Sequence, residues 1–381
     1  MTEKLYYKDA YIKEFSAKVL SFENRGEYYE TVLDKTAFFP EEGGQYSDRG
    51  YISGVRVYDV REKDGVIYHC TKEPIEVGIE VSCSIDFDER FEKMQCHTAE
   101  HILSGLFHKH FGVDNVGFHL GGDDVTMDIS APLTRENLSL VESLANEIIY
   151  KNIEVTTRFP KSEELSSLTY RSKLDLTENV RIVDIGEYDS CACCAPHVRY
   201  TGEIGIIKIL DFEKLRGGMR IHITAGRRAF SYLSDMYSNV RSVGALLSAT
   251  PNEIHEVVGK LLSDYTSLKS EYQNYKSELI RQKAREVERT EGNLVINLDG
   301  ADISEMIEFS NVALSSVGGI LVLLSGGEGS TKYVISSKSI NLRECSAKIN
   351  AALGGKGGGR PEMIQGSFTA SIEEIEAFFE K

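Results

Sequence analysis

The sequence predicts an α+β protein in four parts: a small β-barrel-like unit over residues 1–87, an α/β sandwich core over 88–245, a long coiled-coil helix over 250–291 and a C-terminal α/β unit over 292–381. Three observations carry this expectation. Short β-type runs fill the first part, and the apolar period lengthens from two to a helical one at Asp88. Beyond Pro251, apolar residues recur at alternating spacings of four and three.

In the first part, YYETVLD, GYISGVRVYDV, GVIYHC and EVSCSIDF are strand candidates, with turn signals at Gly43-Gly44, Asp48-Arg49-Gly50 and Asp64-Gly65. The core begins with a helix over 88–111 and has a second amphipathic helix over 134–152. VTMDI, IEVTTRF, VRIVDI, IGIIKIL and MRIHIT read as its strands. Thr250 as cap, Pro251 at the first helical position and Glu253 as the third residue of a capping box start the coiled-coil helix. Its seam is Ile254, Val258, Leu261, Tyr265, Leu268, Tyr272, Tyr275 and Leu279, which predicts a homodimer; an intramolecular helical hairpin is the alternative. Lys276, Arg281, Lys283, Arg285 and Arg289 make the far end of that helix basic. The last part reads as βαβ-like, from LVINL through DISEMIEFSNVAL to GGILVLLSGG and KYVISS. A glycine-rich loop, AALGGKGGGRPEMIQGS, and a closing helix, SIEEIEAFFEK, follow.

With 43 basic against 59 acidic residues the net charge is −16, which argues against a generally basic nucleic-acid binder, so any RNA contact must use a local patch. The charged N-terminus has no apolar stretch of the signal-peptide kind, and no run of about 18 apolar residues occurs. A membrane role is not expected and a reducing cytoplasm is. Seven cysteines include Cys191, Cys193 and Cys194 within four residues, crowding that suits metal binding better than a disulfide scaffold.

The chemistry starts from QCHTAEHILSGLFHKH. At 100° per residue, His97, His101, Ser104 and His108 lie within about 60° of one another, with Ala99, Leu103 and Leu106 opposite. A second segment, YDSCACCAPHVRYTGEIG, puts Cys193 four before His197. Two imidazoles from one segment, with a thiolate and an imidazole from the other, make the four donors of tetrahedral zinc. Spacing allows Cys191 or Cys194 in place of Cys193. His97-x-x-Glu100-His101 also has the form of the inverted-zincin peptidase signature, so a metallopeptidase is one alternative and a non-catalytic zinc-containing RNA-binding protein another. The first needs an open metal position, which a four-donor protein shell would deny it.

Taken together, His97-x-x-x-His101 with Cys193-x-x-x-His197 resembles the zinc signature of alanyl-tRNA synthetase editing domains and their freestanding relatives, the AlaX proteins. TVLDKTAFFPEEGGQYSDRG is similar to the family's glycine-rich motif, HVRYTGEIGIIKI to the stretch after its second zinc pair, and GGKGGGRPEMIQGS to a segment of the synthetase C-terminal domain that helps hold tRNA. The likeness spans nearly the whole chain and matches the long freestanding form. Two departures stand out: Cys193-Cys194-Ala195-Pro196-His197 replaces Cys-Gly-Gly-Thr-His, and Glu42 replaces a glycine.

The resemblance implies a Zn2+-containing aminoacyl-tRNA hydrolase that deacylates, in trans, tRNA(Ala) mischarged chiefly with serine and also with glycine. An alanine pocket rejects such near-isosteres only weakly, so a second sieve is needed. No aminoacylation domain is recognisable, so charging of tRNA is not expected. Carried onto this sequence, Thr36 is the candidate partner for the serine hydroxyl, Gly43 and Gly44 would let the backbone approach the terminal adenosine, and Gln45 would donate to the ester carbonyl or ribose. No general base follows from sequence. Glu100 is a candidate, with a helix-surface salt bridge the competing role. For RNA, KLRGGMRIHITAGRR offers Lys214, Arg216, Arg220, Arg227 and Arg228 with no acidic residue among them, and Arg360 lies in the glycine-rich loop.

Overall fold

Alternating apolar residues close six antiparallel strands into a barrel, ordered Glu14–Asn24, Tyr29–Leu33, Val66–Thr71, Val55–Lys63, Gly50–Ile52 and Glu80–Ile85. Val19, Leu33, Phe38, Ile52, Val60, Ile67 and Val81 fill it. This is a computed structural model, and it describes every residue except 123–124, 166, 173–179, 327–329 and 381. Two units are distinguished, Met1–Ser242 and Val243–Lys381, and each is mixed α+β.

In the first unit a four-stranded antiparallel sheet, ordered Ile207–Leu215, Gly218–Ala225, Val125–Ile129 and Asn115–Leu120, shares one core with the helices Phe87–Phe111 and Arg135–Lys151. A smaller antiparallel sheet joins Val155–Arg158, Ile182–Ile185 and Asp189–Ala192. Thr134 caps the second helix through a capping box with Asn137. The first helix ends at Gly112, whose φ of 64° is the left-handed conformation that glycine adopts without strain. From Lys93 to Phe107 this helix is buried all round, with its apolar side in the shared core.

Two close approaches bring other segments to that helix. A Cβ on Gly105 would stand 2.1 Å from the Tyr188 carbonyl oxygen, so only glycine lets the Asp189–Ala192 strand lie against the helix. A Cβ on Gly44 would stand 2.2 Å from the Phe118 carbonyl oxygen; here the 42–45 turn docks on the Asn115–Leu120 strand, with Leu120 N donating to the Gly44 carbonyl at 2.7 Å. The buried Arg90 guanidinium bonds the Asp48 carboxylate and the Ala37 carbonyl, and Lys93 Nζ donates to the Ser47 carbonyl at 2.7 Å, so the helix is tied to the barrel's glycine-rich loop.

The second unit is a five-stranded sheet ordered Leu294–Asn297, Ile320–Ser325, Thr331–Ser337, Met363–Phe368 and Lys356–Arg360. Its first two strands are parallel, joined through the helix Ile303–Ala313. Four sequence readings need correction here and nearby. The long helix starts at Ile254, because Thr250 Oγ1 donates to the Glu253 carboxylate instead of accepting from the helix. The glycine-rich segment is not a loop but a hairpin that gives the sheet its edge, Lys356–Arg360 pairing with Met363–Phe368. Lys276 and Arg281 are neutralised by Glu305 and Glu308, so the helix's far end is less basic than its sequence. The helices Gly226–Leu247 and Leu342–Leu353 had no counterpart in the sequence reading. Along the long helix, Leu261, Tyr265, Leu268, Tyr272, Tyr275 and Leu279 are all exposed.

Candidate metal centre

A cleft of about 1460 Å³ opens in the first unit, with His97, Glu100, His101 and Cys193 in its wall. His97 and His101 stand one turn apart on the Phe87–Phe111 helix, and Cys193 and His197 come from the loop after the Asp189–Ala192 strand. One donor atom from each of the four lies within 4.8 Å of the others. Cys193 Sγ is 3.6 Å from His97 Nε2 and 3.4 Å from His197 Nε2.

Each imidazole is held by its other nitrogen. His97 Nδ1 lies 2.9 Å from Gln45 Oε1, and His101 Nδ1 lies 2.9 Å from Asp189 Oδ2. His197 Nδ1 is 3.0 Å from Thr98 Oγ1, which donates to the Met94 carbonyl and so accepts from the ring. Asp189 is gripped in turn by Arg171, Nε to Oδ1 at 2.7 Å and Nη2 to Oδ2 at 2.9 Å. Orienting partners of this kind fix ring and tautomer, leaving three Nε2 atoms to converge on one sulfur.

Burial works against charge here, yet the imidazoles of His97 and His197 and hydrogen bonds from His101 and His197 hold the Cys193 thiol well below its usual range, toward the thiolate that binds metals. Burial pulls His197 down to about 3, so it is a neutral ligand-type imidazole. His101 is also desolvated, but Cys191, Asp189 and Cys193 raise it well above the ordinary value, so metal binding there must displace a proton. The four side chains form a group that can hold a metal ion.

The other two cysteines sit elsewhere. Cys191 forms a second group with His101 and Asp189, and the Cys194 Sγ lies 3.6 Å from where a Cβ on Gly43 would be. His108 is outside the cluster, exposed and 2.7 Å from Asp114. Glu100 is not the surface residue weighed above. It is 5% exposed, its Oε1 accepts from Ser104 Oγ and Asn115 Nδ2, and its Oε2 is 3.9 Å from His101 Nε2.

Of the glycine-rich motif, Gly43 lines the cleft, Gly44 packs on Phe118, and Gln45 spends its carbonyl on His97 while its Nε2 is buried without a hydrogen-bond partner among the described residues. Thr36 is fully buried and does not line the cleft. Its hydroxyl donates to His69 Nε2 at 2.8 Å and accepts from Phe38 N at 3.1 Å. Both bonds engage that hydroxyl within the barrel.

The arginine patch is also altered by folding. Arg220 makes a two-point pair with Asp128, at 2.7 and 2.8 Å, Arg227 lies 3.6 Å from Asp88, and Arg228 lies 3.4 Å from Glu92. Neighbours distant in sequence supply the negative charge that the segment lacks. Arg216 and Arg360 are exposed and make no ion pair among the described residues. Sequence reasoning missed Asp189, Arg171 and Thr98, which support the cluster; the nearest sequence signal was a carboxylate just before the cysteine run.

The family model for the threonyl and alanyl tRNA synthetase second additional domain matches residues 180–222, the stretch carrying Cys193 and His197. The model for tRNA synthetases class II (A) matches residues 2–89, and that for the DHHA1 domain matches residues 294–381. The alanine–tRNA ligase of Halobacterium salinarum is 32% identical over 96% of this chain, and that of Archaeoglobus fulgidus 29% identical over 98%. The chain spans only 42% and 43% of those ligases. A solved structure, the C-Ala domain from Aquifex aeolicus alanyl-tRNA synthetase, is 20% identical over 25% of this chain at a TM-score of 0.22, too slight a likeness to bear on the fold. The alanyl-tRNA editing protein AlaX-L of Pyrococcus horikoshii is 30% identical over 98% of this chain and 96% of its own length, and the chain belongs to the family of that protein.

Proposed function

We propose that this chain is a trans-editing hydrolase that removes serine, and to a lesser degree glycine, from mischarged tRNA(Ala) in the cytoplasm. The observation that carries the reading is a buried His/Cys cluster in the wall of an open cleft, in a chain whose relative is named an editing protein along its full length.

The donor set suits zinc, because tetrahedral Zn–S and Zn–N bonds imply an S···N separation of about 3.6 Å, and the two separations here are 3.6 and 3.4 Å. His97, His101, Cys193 and His197 would hold the ion, which when bound supplies a fixed positive charge beside the ester. Glu100, held by Ser104 and Asn115, takes the proton of the attacking water. Gln45 keeps His97 in register, and Asp189 does the same for His101. Arg216 and Arg360 are the exposed cations proposed to meet the RNA backbone. The exposed seam from Leu261 to Leu279 is proposed to pair two copies of the chain, and a monomeric mass at micromolar concentration would count against that.

The peptidase alternative loses ground because His and Cys side chains supply all four donors, leaving no open position. The decisive assay offers seryl-, glycyl- and alanyl-tRNA(Ala), with and without a chelator. Selective, chelator-sensitive release of serine supports the reading, whereas equal release of alanine, or none from any substrate, rejects it.

A further inference from the structure

Five carboxyl side chains line the cleft among the described residues, and four of them are matched. Asp189 is held by Arg171 and His101, Asp114 lies 2.7 Å from His108 Nδ1, Glu187 lies 3.7 Å from Lys109 Nζ, and Glu100 accepts from Ser104 and Asn115. Glu42 differs. It is exposed and makes no ion pair among the described residues, and its side-chain partner among them is the Cys194 thiol, a weak donor.

The turn that carries Glu42 also serves the cluster. Glu42 N donates to the Gln45 carbonyl at 3.2 Å and Gln45 N to the Glu42 carbonyl at 3.1 Å, which closes the turn. At one end Gln45 Oε1 reaches His97 Nδ1 at 2.9 Å, and at the other Glu42 meets the residue that follows Cys193. Between them Gly43 runs so near that a Cβ there would stand 3.6 Å from the Cys194 sulfur. Glu42 and Cys194 are thus set together on the cleft wall beside the ligand loop. The family motifs described above carry glycine at both positions, so this carboxylate and the thiol that steadies it are features of this chain.

A carboxylate in a cleft that receives the end of an RNA opposes binding, because the phosphates approach it as like charges. The ester of an amino acid with that end carries phosphates, a base, sugar hydroxyls and one cationic group, the α-ammonium. Resting on the editing reading above, we propose that Glu42 is a specificity-determining residue whose carboxylate pairs with the free α-ammonium of the substrate. Aminoacyl esters are then accepted, and esters whose amine is blocked by an acyl or peptidyl group are refused. The ammonium sits on the carbon next to the ester carbonyl, so anchoring it also orients that carbonyl beside the ligand loop. Serine, glycine and alanine all carry the same ammonium, so discrimination among them lies in other residues.

Calorimetry on the metal-loaded full chain tests this without turnover. One titrant is 3′-deoxy-3′-(L-serylamino)adenosine, with an amide in place of the labile ester, and the other is the same molecule with a hydroxyl in place of the ammonium. At pH 6, below the α-amino range of about 7.7–8.0, wild-type protein is expected to bind the first about tenfold more tightly, between the effects of an exposed ion pair and a buried charge-assisted contact. Glu42→Gln and Glu42→Gly should each bring the two within about twofold by weakening the ammonium ligand alone, and the wild-type preference should fade by about pH 9. The proposal is overturned if wild-type protein binds both ligands alike or binds neither. It is equally overturned if Glu42→Gln weakens both together and keeps the preference, as a merely structural role in the turn implies. Seryl-tRNA(Ala) deacylation is measured separately: release of serine without the ammonium preference rejects only the role of Glu42, and the preference without release rejects the editing reading.

Discussion

His69, inside the barrel, and His97, His101 and His197, beside the cleft, are all nearly inaccessible, and all four bond an oxygen through Nδ1. They differ at Nε2. In the barrel that nitrogen accepts from the Thr36 hydroxyl, and the ring is finished, a packed polar pair under Phe38. Beside the cleft, three Nε2 atoms point toward one sulfur. Burial and a satisfied Nδ1 thus say little about role; what the second nitrogen meets says nearly everything. The same lesson applies to the arginines, where Arg220 is closed by Asp128 while Arg181 keeps an open donor.

The comparison is tested most severely at the sulfur. Cys193→Ala should abolish deacylation and lower bound zinc, read by metal analysis and release of serine, because it removes the one donor that two imidazoles face at contact distance. Retained activity without metal would erase the distinction between the two sets. Next in size, Glu100→Gln should keep its metal but slow deacylation by about 10²- to 10⁴-fold, the usual contribution of a general base; an unchanged rate would return Glu100 to a structural role. Gln45→Leu removes the oxygen that His97 Nδ1 bonds, and zinc affinity in a chelator competition should fall about 10- to 100-fold.

The barrel pair should respond in stability alone. Thr36→Val leaves His69 Nε2 unpaired and should cost about 1–3 kcal/mol in denaturant unfolding, with the preference for serine over alanine intact. A lost preference would restore the hydroxyl-recognition role to Thr36. Burial holds His69 at about 4, below its unfolded value of about 6.5. Between those values the unfolded chain binds a proton that the folded chain does not, so stability falls as pH drops through that window and is unaffected above it. Relative to His69→Gln the loss should reach about 3 kcal/mol at pH 4, at about 1.4 kcal/mol per unit.

Much of this was legible in the chain. The four donors, the helix over 88–111 and the parallel pair of the second unit follow from spacing and period, which are properties of neighbours in sequence. The arginine patch misled for the matching reason: KLRGGMRIHITAGRR contains no acid, but Asp128 lies on the adjacent strand, while Asp88 and Glu92 lie on the first helix. The glycine-rich hairpin was equally hidden, since Gly357–Gly359 has no side-chain period and its strand is recognisable only by its pairing with Met363–Phe368.

By itself the sequence determined which atoms can ligate and on which segments they lie, because residue type fixes donor chemistry and helical spacing fixes a shared face. Tertiary structure alone decided which of those atoms stay open. Gly105 lets Asp189 reach His101, the Gly44 turn delivers Gln45 to His97, and the barrel encloses Thr36 with His69. Whether a polar atom is spent or available depends on what lies within about 3 Å of it, and here those neighbours come from segments 33 to 88 residues away in the chain.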